Sequence, residues 1–216
     1  MKTDPLRPFE AMPYFTVEGI RQVLDKESPE SSRVRLHRWS TSDRVIPLKK
    51  GVYMTRRFYE QHSKDPAFMA AISAVLLPQS YLSLEFILQQ NNILTEVTYP
   101  ITCITTKNTR TIKNRIGVFW YRNIRADLYR GFAFSEYMGI RYAKASVAKA
   151  LFDYLYLRPL ASAYRTVKFD LADELRLNLD EFSANDRDEF AQYVEESRSR
   201  KMNDILENFR NTIWQH

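Results

Sequence analysis

Cysteine, histidine and glycine are all scarce in these 216 residues, and each scarcity closes off a class of chemistry. The single cysteine, Cys103, excludes an internal disulfide and any zinc site built on paired thiolates. It also fits a reducing compartment. The three histidines, His37, His62 and His216, show no His-Glu-x-x-His or similar ligand spacing, so no metal site is expected. Five scattered glycines cannot form a Gly-rich phosphate loop, and no cofactor is expected. Long hydrophobic runs are missing too. The longest nearly apolar stretch, Phe68 to Pro78, falls far short of the ~20 residues a helix needs to cross hydrocarbon. The first residues carry Asp4, Glu10 and prolines ahead of any apolar run, unlike a secretory signal. A cytoplasmic protein with no membrane partner is the expectation.

Charge is present in quantity and unevenly placed. The net charge is +6, yet residues 160–216 are net negative while the remainder is basic. Residues 31–57 hold Arg33, Arg35, Arg38, Arg44, Lys49, Lys50, Arg56 and Arg57 against Asp43 alone. Such a run raises the local concentration of polyanions; the alternative is a solvated basic face without a partner.

The pattern around that run predicts a winged helix-turn-helix over residues 1–57. A short helix is expected over Leu6–Met12, ended by Pro13. Thr16 is a candidate cap for a helix with Val17, Ile20 and Leu24 on one stripe. Ser28-Pro29 starts a third helix reaching about Ser42. At ~100° per residue, Leu36 and Trp39 fall on its inner face. Arg33, Val34, His37, Arg38 and Thr41 fall on the outer one, with Arg35 at the flank. A helix presenting arginine, histidine and threonine suits a DNA major groove. Val45–Tyr53 then reads as a hairpin, with Lys49 and Lys50 at a wing tip within reach of phosphate. The expected DNA-contacting set is Arg33, Arg35, His37, Arg38, Thr41, Arg44, Lys49 and Lys50, and the expected partner is double-stranded DNA.

Residues 58–216 read as a separate α/β domain with C-terminal helices, making the whole chain α+β. Asp65-Pro66 starts a helix buried through Phe68, Met69, Ile72, Val75 and Leu76. Ser83 is a candidate cap for a short helix with Leu84, Ile87 and Leu88, broken at Asn91-Asn92. From Val97 to Tyr142 the texture turns to β, with strands expected at Val97–Cys103, Ile116–Tyr121 and Phe132–Tyr137. Ser146 caps a helix with Val147, Ala150, Leu151, Tyr154 and Leu155 as its apolar face. One long helix from about Asp186 carries Phe190, Val194, Met202, Ile205, Leu206, Phe209 and Ile213. A second basic run, Lys107, Arg110, Lys113, Arg115, Arg122, Arg125 and Arg130, extends the DNA surface, meets an acidic partner, or protects a sheet edge. Tyr81, Trp120 and Tyr121 are expected in packing, and Cys103 in the core.

Catalysis finds little material. Residues 58–159 contain seven carboxylates, with no Asp…Glu-x-Lys arrangement on adjacent strands. His62 is the only histidine there, so neither a Ser-His-Asp nor a Cys-His set assembles. No catalytic residue is assigned; a metal-dependent nuclease is the least favoured alternative.

Three motifs in succession resemble a known family. They are Leu48-Lys49-Lys50-Gly51-Val52-Tyr53, Ser80-Tyr81-Leu82-Ser83-Leu84-Glu85, and Ala145-Ser146-Val147-Ala148-Lys149-Ala150-Leu151-Phe152-Asp153-Tyr154-Leu155. In order and spacing, from about residue 14 to 160, they are similar to the AbiEi-type antitoxin and transcriptional-regulator family of type IV toxin–antitoxin systems. The family pattern has Pro-Glu where this chain has Val147-Ala148. The resemblance implies a winged helix-turn-helix that represses its own operon through its promoter. It also implies an α/β antitoxin domain that counteracts a nucleotidyltransferase-like toxin. A stand-alone regulator is the alternative. Lys149 and Asp153, expected to point off the buried stripe, are the candidate antitoxin surface. An intrahelical ion pair worth about 0.5 kcal/mol or less is the competing reading.

Overall fold

The computed structural model describes residues 4–24, 28–95, 100–161, 169–180 and 182–214. Val97, Tyr99 and His216 lie outside these. The fold is mixed α and β, with two sheets among the described residues.

The first expected helix shrinks to one 3-10 turn, Arg7–Phe9. Its bonds close over three residues, Phe9 N to Leu6 O and Met12 N to Phe9 O. With Pro8 inside and Pro13 close behind, the segment has no room to build an α-helical ladder. Strand β1 (Phe15–Thr16) leads into helix α1 (Val17–Val23), where the Thr16 hydroxyl accepts from Gly19 N at 3.1 Å. Helix α2 (Pro29–Thr41) starts as the sequence suggests, with Ser28 capping and Pro29 in the first turn. Strands β2 (Val45–Lys49) and β3 (Val52–Thr55) form an antiparallel hairpin, and the small sheet is ordered β1-β3-β2. Gly51 closes the hairpin at φ +78°, a conformation strained for residues with a Cβ. Ile20, Leu36 and Trp39 pack with Phe9, Phe15 and Val45 into a core beneath that sheet.

Helix α3 (Arg56–His62) follows directly, capped by Thr55. Residue 57, the expected domain boundary, falls within it. Ile46, Leu48, Met54 and Phe58 join the larger core formed with the residues that follow.

Helix α4 (Pro66–Leu76), capped by Asp65, is almost wholly buried. Then come β4 (Ser80–Leu82), α5 (Glu85–Gln90), β5 (Ile101–Thr105), β6 (Arg110–Asn114), β7 (Gly117–Asn123), β8 (Phe132–Tyr137) and β9 (Ile140–Ala145). The sheet order is β6-β7-β5-β4-β9-β8, with β5/β7 and β4/β9 parallel and the other pairs antiparallel. Helix α4 covers one face, where Tyr121 Oη donates to Ser73 O at 2.8 Å. Helix α5 lies on the other face, its Phe86 N donating to Thr102 Oγ1 at 3.0 Å. Helix α6 (Val147–Leu157) also packs there, reaching Tyr81 and Ser83 through Asp153.

Three further expectations need correction. Ser83 does not cap α5; Leu84, at φ +57°, occupies the cap position without a side-chain bond. The Ser83 hydroxyl is taken by a buried carboxylate instead. The long C-terminal helix is two, α8 (Ala184–Ser197) and α9 (Arg200–Asn211), after a short α7 (Leu171–Glu174). Arg198 at φ +52° breaks the run, Ser197 bonds back to Val194 O, and Ser199 caps α9. Serines that bond locally compete with the helical ladder. Trp120 is not packed away but 43% exposed, whereas Tyr81, Tyr121 and Cys103 are buried. Burial pushes the Cys103 thiol up to about 12, consistent with an unreactive core residue.

Candidate nucleic-acid interface

The outer face of α2 follows from its inner one. Because Ser32, Leu36 and Trp39 are buried at intervals of three and four, the residues between them turn outward. Arg33, Val34, His37, Arg38 and Thr41 are all exposed. Val34 is 61% exposed, a β-branched apolar side chain in the middle of a charged surface. No side-chain hydrogen bond or ion pair engages Arg33, His37 or Arg38 among the described residues. Thr41 Oγ1 donates to His37 O at 3.0 Å.

Other basic residues of the run are committed within the fold. Arg35 is half-buried with its guanidinium 5.8 Å from the Trp39 ring centre. Arg44 lies 5.7 Å from the same ring and pairs with Asp4. The Leu6 amide, aided by Arg44, holds the Asp4 carboxyl below its ordinary value. Asp43, the one acid in the run, sits past the end of α2 between Arg56 and Arg115. The acid that could neutralise the helix face is therefore bound elsewhere. Arg115 also donates to Ser40 O at 3.1 Å, and Asn114 Nδ2 donates to Leu48 O at 3.0 Å. These two contacts seat the β6–β7 turn against α2 and β2. Nothing in the local sequence marked Arg115 for this, since its partners lie more than 60 residues away.

The hairpin tip differs from the expectation. Lys49 is not free: Nζ donates to Val75 O at 2.7 Å and Leu76 O at 3.2 Å, at the C-terminal end of α4. The last carbonyls of a helix lack partners and carry partial negative charge, so an ammonium there is well matched. Burial lowers the Lys49 pKa. Gly51 O accepts from Val17 N at 3.2 Å, which ties the turn to α1. Only Lys50 remains exposed at the tip.

The candidate antitoxin pair is not a surface at all. Lys149 and Asp153 are both 0% exposed and form an ion pair one helical turn apart. Tyr81 Oη and Ser83 Oγ donate to Asp153 Oδ2 at 2.9 and 2.8 Å. The Lys149 ammonium stands 4.9 Å from the Phe152 ring centre and 5.4 Å from that of Tyr193. Burial lowers the Lys149 pKa and raises that of Asp153, and each partner opposes the shift of the other. Gly131, at φ +76°, leaves room here: a Cβ would lie 2.2 Å from Tyr193 Oη and 2.9 Å from Lys149 Cγ. The apolar stripe is wider than the spacing suggested, because α6 is buried between the sheet and α8.

Among the described residues, no three His, Cys, Asp or Glu gather as metal ligands, and no helix is long and apolar enough to cross a membrane. Compared with known proteins, the chain matches no family model and no curated protein.

Proposed function

We propose that this protein is a sequence-specific DNA-binding transcriptional regulator whose N-terminal residues form a winged helix-turn-helix. The observation that carries the reading is the outer face of α2, where Arg33, His37 and Arg38 stand exposed and uncommitted around Val34. The element order, with two helices followed by a hairpin in a β1-β3-β2 sheet, supports it. In this reading α2 enters the major groove, its arginines donate to guanine edges or phosphates, and Val34 meets a thymine methyl. Lys50 reaches phosphate from the hairpin turn.

A gel shift on DNA upstream of the protein's own coding sequence tests this. Binding should weaken steeply with salt, because each neutralised phosphate releases counterions. Arg33→Ala and Arg38→Ala should relax sequence discrimination. Absence of binding at low salt, or binding indifferent to salt, refutes the reading.

The motif resemblance supports a second role, relief of toxicity from a nucleotidyltransferase-like toxin. With Lys149 and Asp153 buried, that role needs another surface. The full chain carrying Arg33→Ala, Arg38→Ala and Lys50→Ala, first checked by gel shift to have lost promoter binding, is the probe. If it still rescues growth against the toxin, the role is separate from repression. If rescue disappears along with DNA binding, the protein acts through transcription alone.

A further inference from the structure

With Lys49 withdrawn to cap α4, the β2–β3 turn offers phosphate only Lys50. A different hairpin stands beside α2. Strand β6 is an edge of the large sheet, and its turn into β7 is fixed to the α2 end by Arg115 on Ser40 O and to β2 by Asn114 on Leu48 O. Approaching and along that edge, Lys107, Arg110 and Lys113 are exposed. The side chains of Lys107 and Lys113 have no partner among the described residues, and Arg110 donates only to the nearby Asn108 carbonyl. Trp120, opposite Thr111 in the register, presents its ring on the same face of the sheet as Lys113. No acidic residue lies between Lys107 and Arg125.

We infer that the β6 edge is a second contact surface for duplex DNA, gripping the backbone on the flank of the site read by α2. This rests on the DNA-binding reading above. The edge has no base-reading geometry; its work is phosphate neutralisation, which positions without specifying. Arg115 on Ser40 O sets the β6–β7 turn at the C-terminal end of α2, so a duplex that lies along α2 and runs past that end comes up against this edge. Five residues at ~3.4 Å span about 17 Å, equal to about five base pairs at ~3.4 Å each.

The experiment compares the full chain with a Lys107→Ala/Arg110→Ala/Lys113→Ala variant on a duplex selected from a random-sequence pool by the full chain. The variant should keep its thermal midpoint, since none of the three side chains is packed. Its protected region should shorten by about five base pairs on one side. Its slope of log affinity against log salt should fall by about 2 to 3. Base preference within the remaining footprint should be unchanged. If the wild-type chain selects no duplex, the DNA-binding reading fails and this inference with it. If the wild type binds and the variant shows the same footprint and slope, only the second surface is refuted. Tighter binding of the wild type to single strands, lost in Trp120→Ala, would also overturn it, because the edge would then be a base-stacking platform.

Discussion

Replacing Lys149 by methionine is the sharpest test of the interior. Methionine roughly conserves the length of the side chain, so the change removes charge more than volume. Asp153 would keep Tyr81 and Ser83 as donors and lose the ammonium it pairs with. Breaking a buried pair from one side costs about 3–5 kcal/mol, against a total stability of roughly 5–15 kcal/mol for a typical domain. The variant should therefore unfold at much lower urea, followed by the fluorescence of Trp39, Trp120 and Trp214. The pH dependence has a definite sign. Burial already holds the Asp153 carboxyl above its ordinary value, and without the ammonium nothing opposes that shift except the two hydroxyls. A raised folded-state pKa means that the folded chain keeps a proton the unfolded chain has released. Stability relative to wild type should then be greatest below the unfolded value of about 4 and fall as pH rises toward the folded value. Lys149→Met with Asp153→Leu should be less destabilised than the sum of the two single changes, because no lone charge remains. A loss below about 1 kcal/mol for Lys149→Met, or a loss independent of pH, would refute a dry, paired interior.

Lys49→Ala should leave DNA affinity nearly unchanged and lower thermal stability, while Lys50→Ala should weaken binding to all sequences alike and leave stability untouched; the reverse pattern would put Lys49 back at a free wing tip. Gly131→Ala should destabilise by more than the ~1 kcal/mol usual for a strained backbone position, because its methyl would strike Tyr193 and Lys149, and calorimetry of the variant measures this directly.

Much of the local structure was legible from the chain. Thr16, Ser28, Asp65 and Ser146 cap the helices they were expected to cap, and β8 runs from Phe132 to Tyr137 as expected. The two faces of α2 separated as the spacing of Leu36 and Trp39 required. These are consequences of capping chemistry and periodicity, which act over a few residues. Short elements such as β4 escaped notice, because three residues carry no period.

The candidate site was legible only where it depended on one helix. The sequence by itself determined which side of α2 is apolar, and so which residues stand outward. It could not say which cations would be consumed. Lys49, Arg44 and Arg115 found partners 26, 40 and 75 residues away, on α4, near the amino terminus and at the end of α2. Lys149 and Asp153 read as a surface pair because four-residue spacing is the same on a buried helix as on an exposed one. Only the packing of the sheet on one side and α8 on the other removed their water. Periodicity fixes the direction of a side chain relative to its own helix; what waits in that direction depends on distant chain, and the tertiary structure alone decides it.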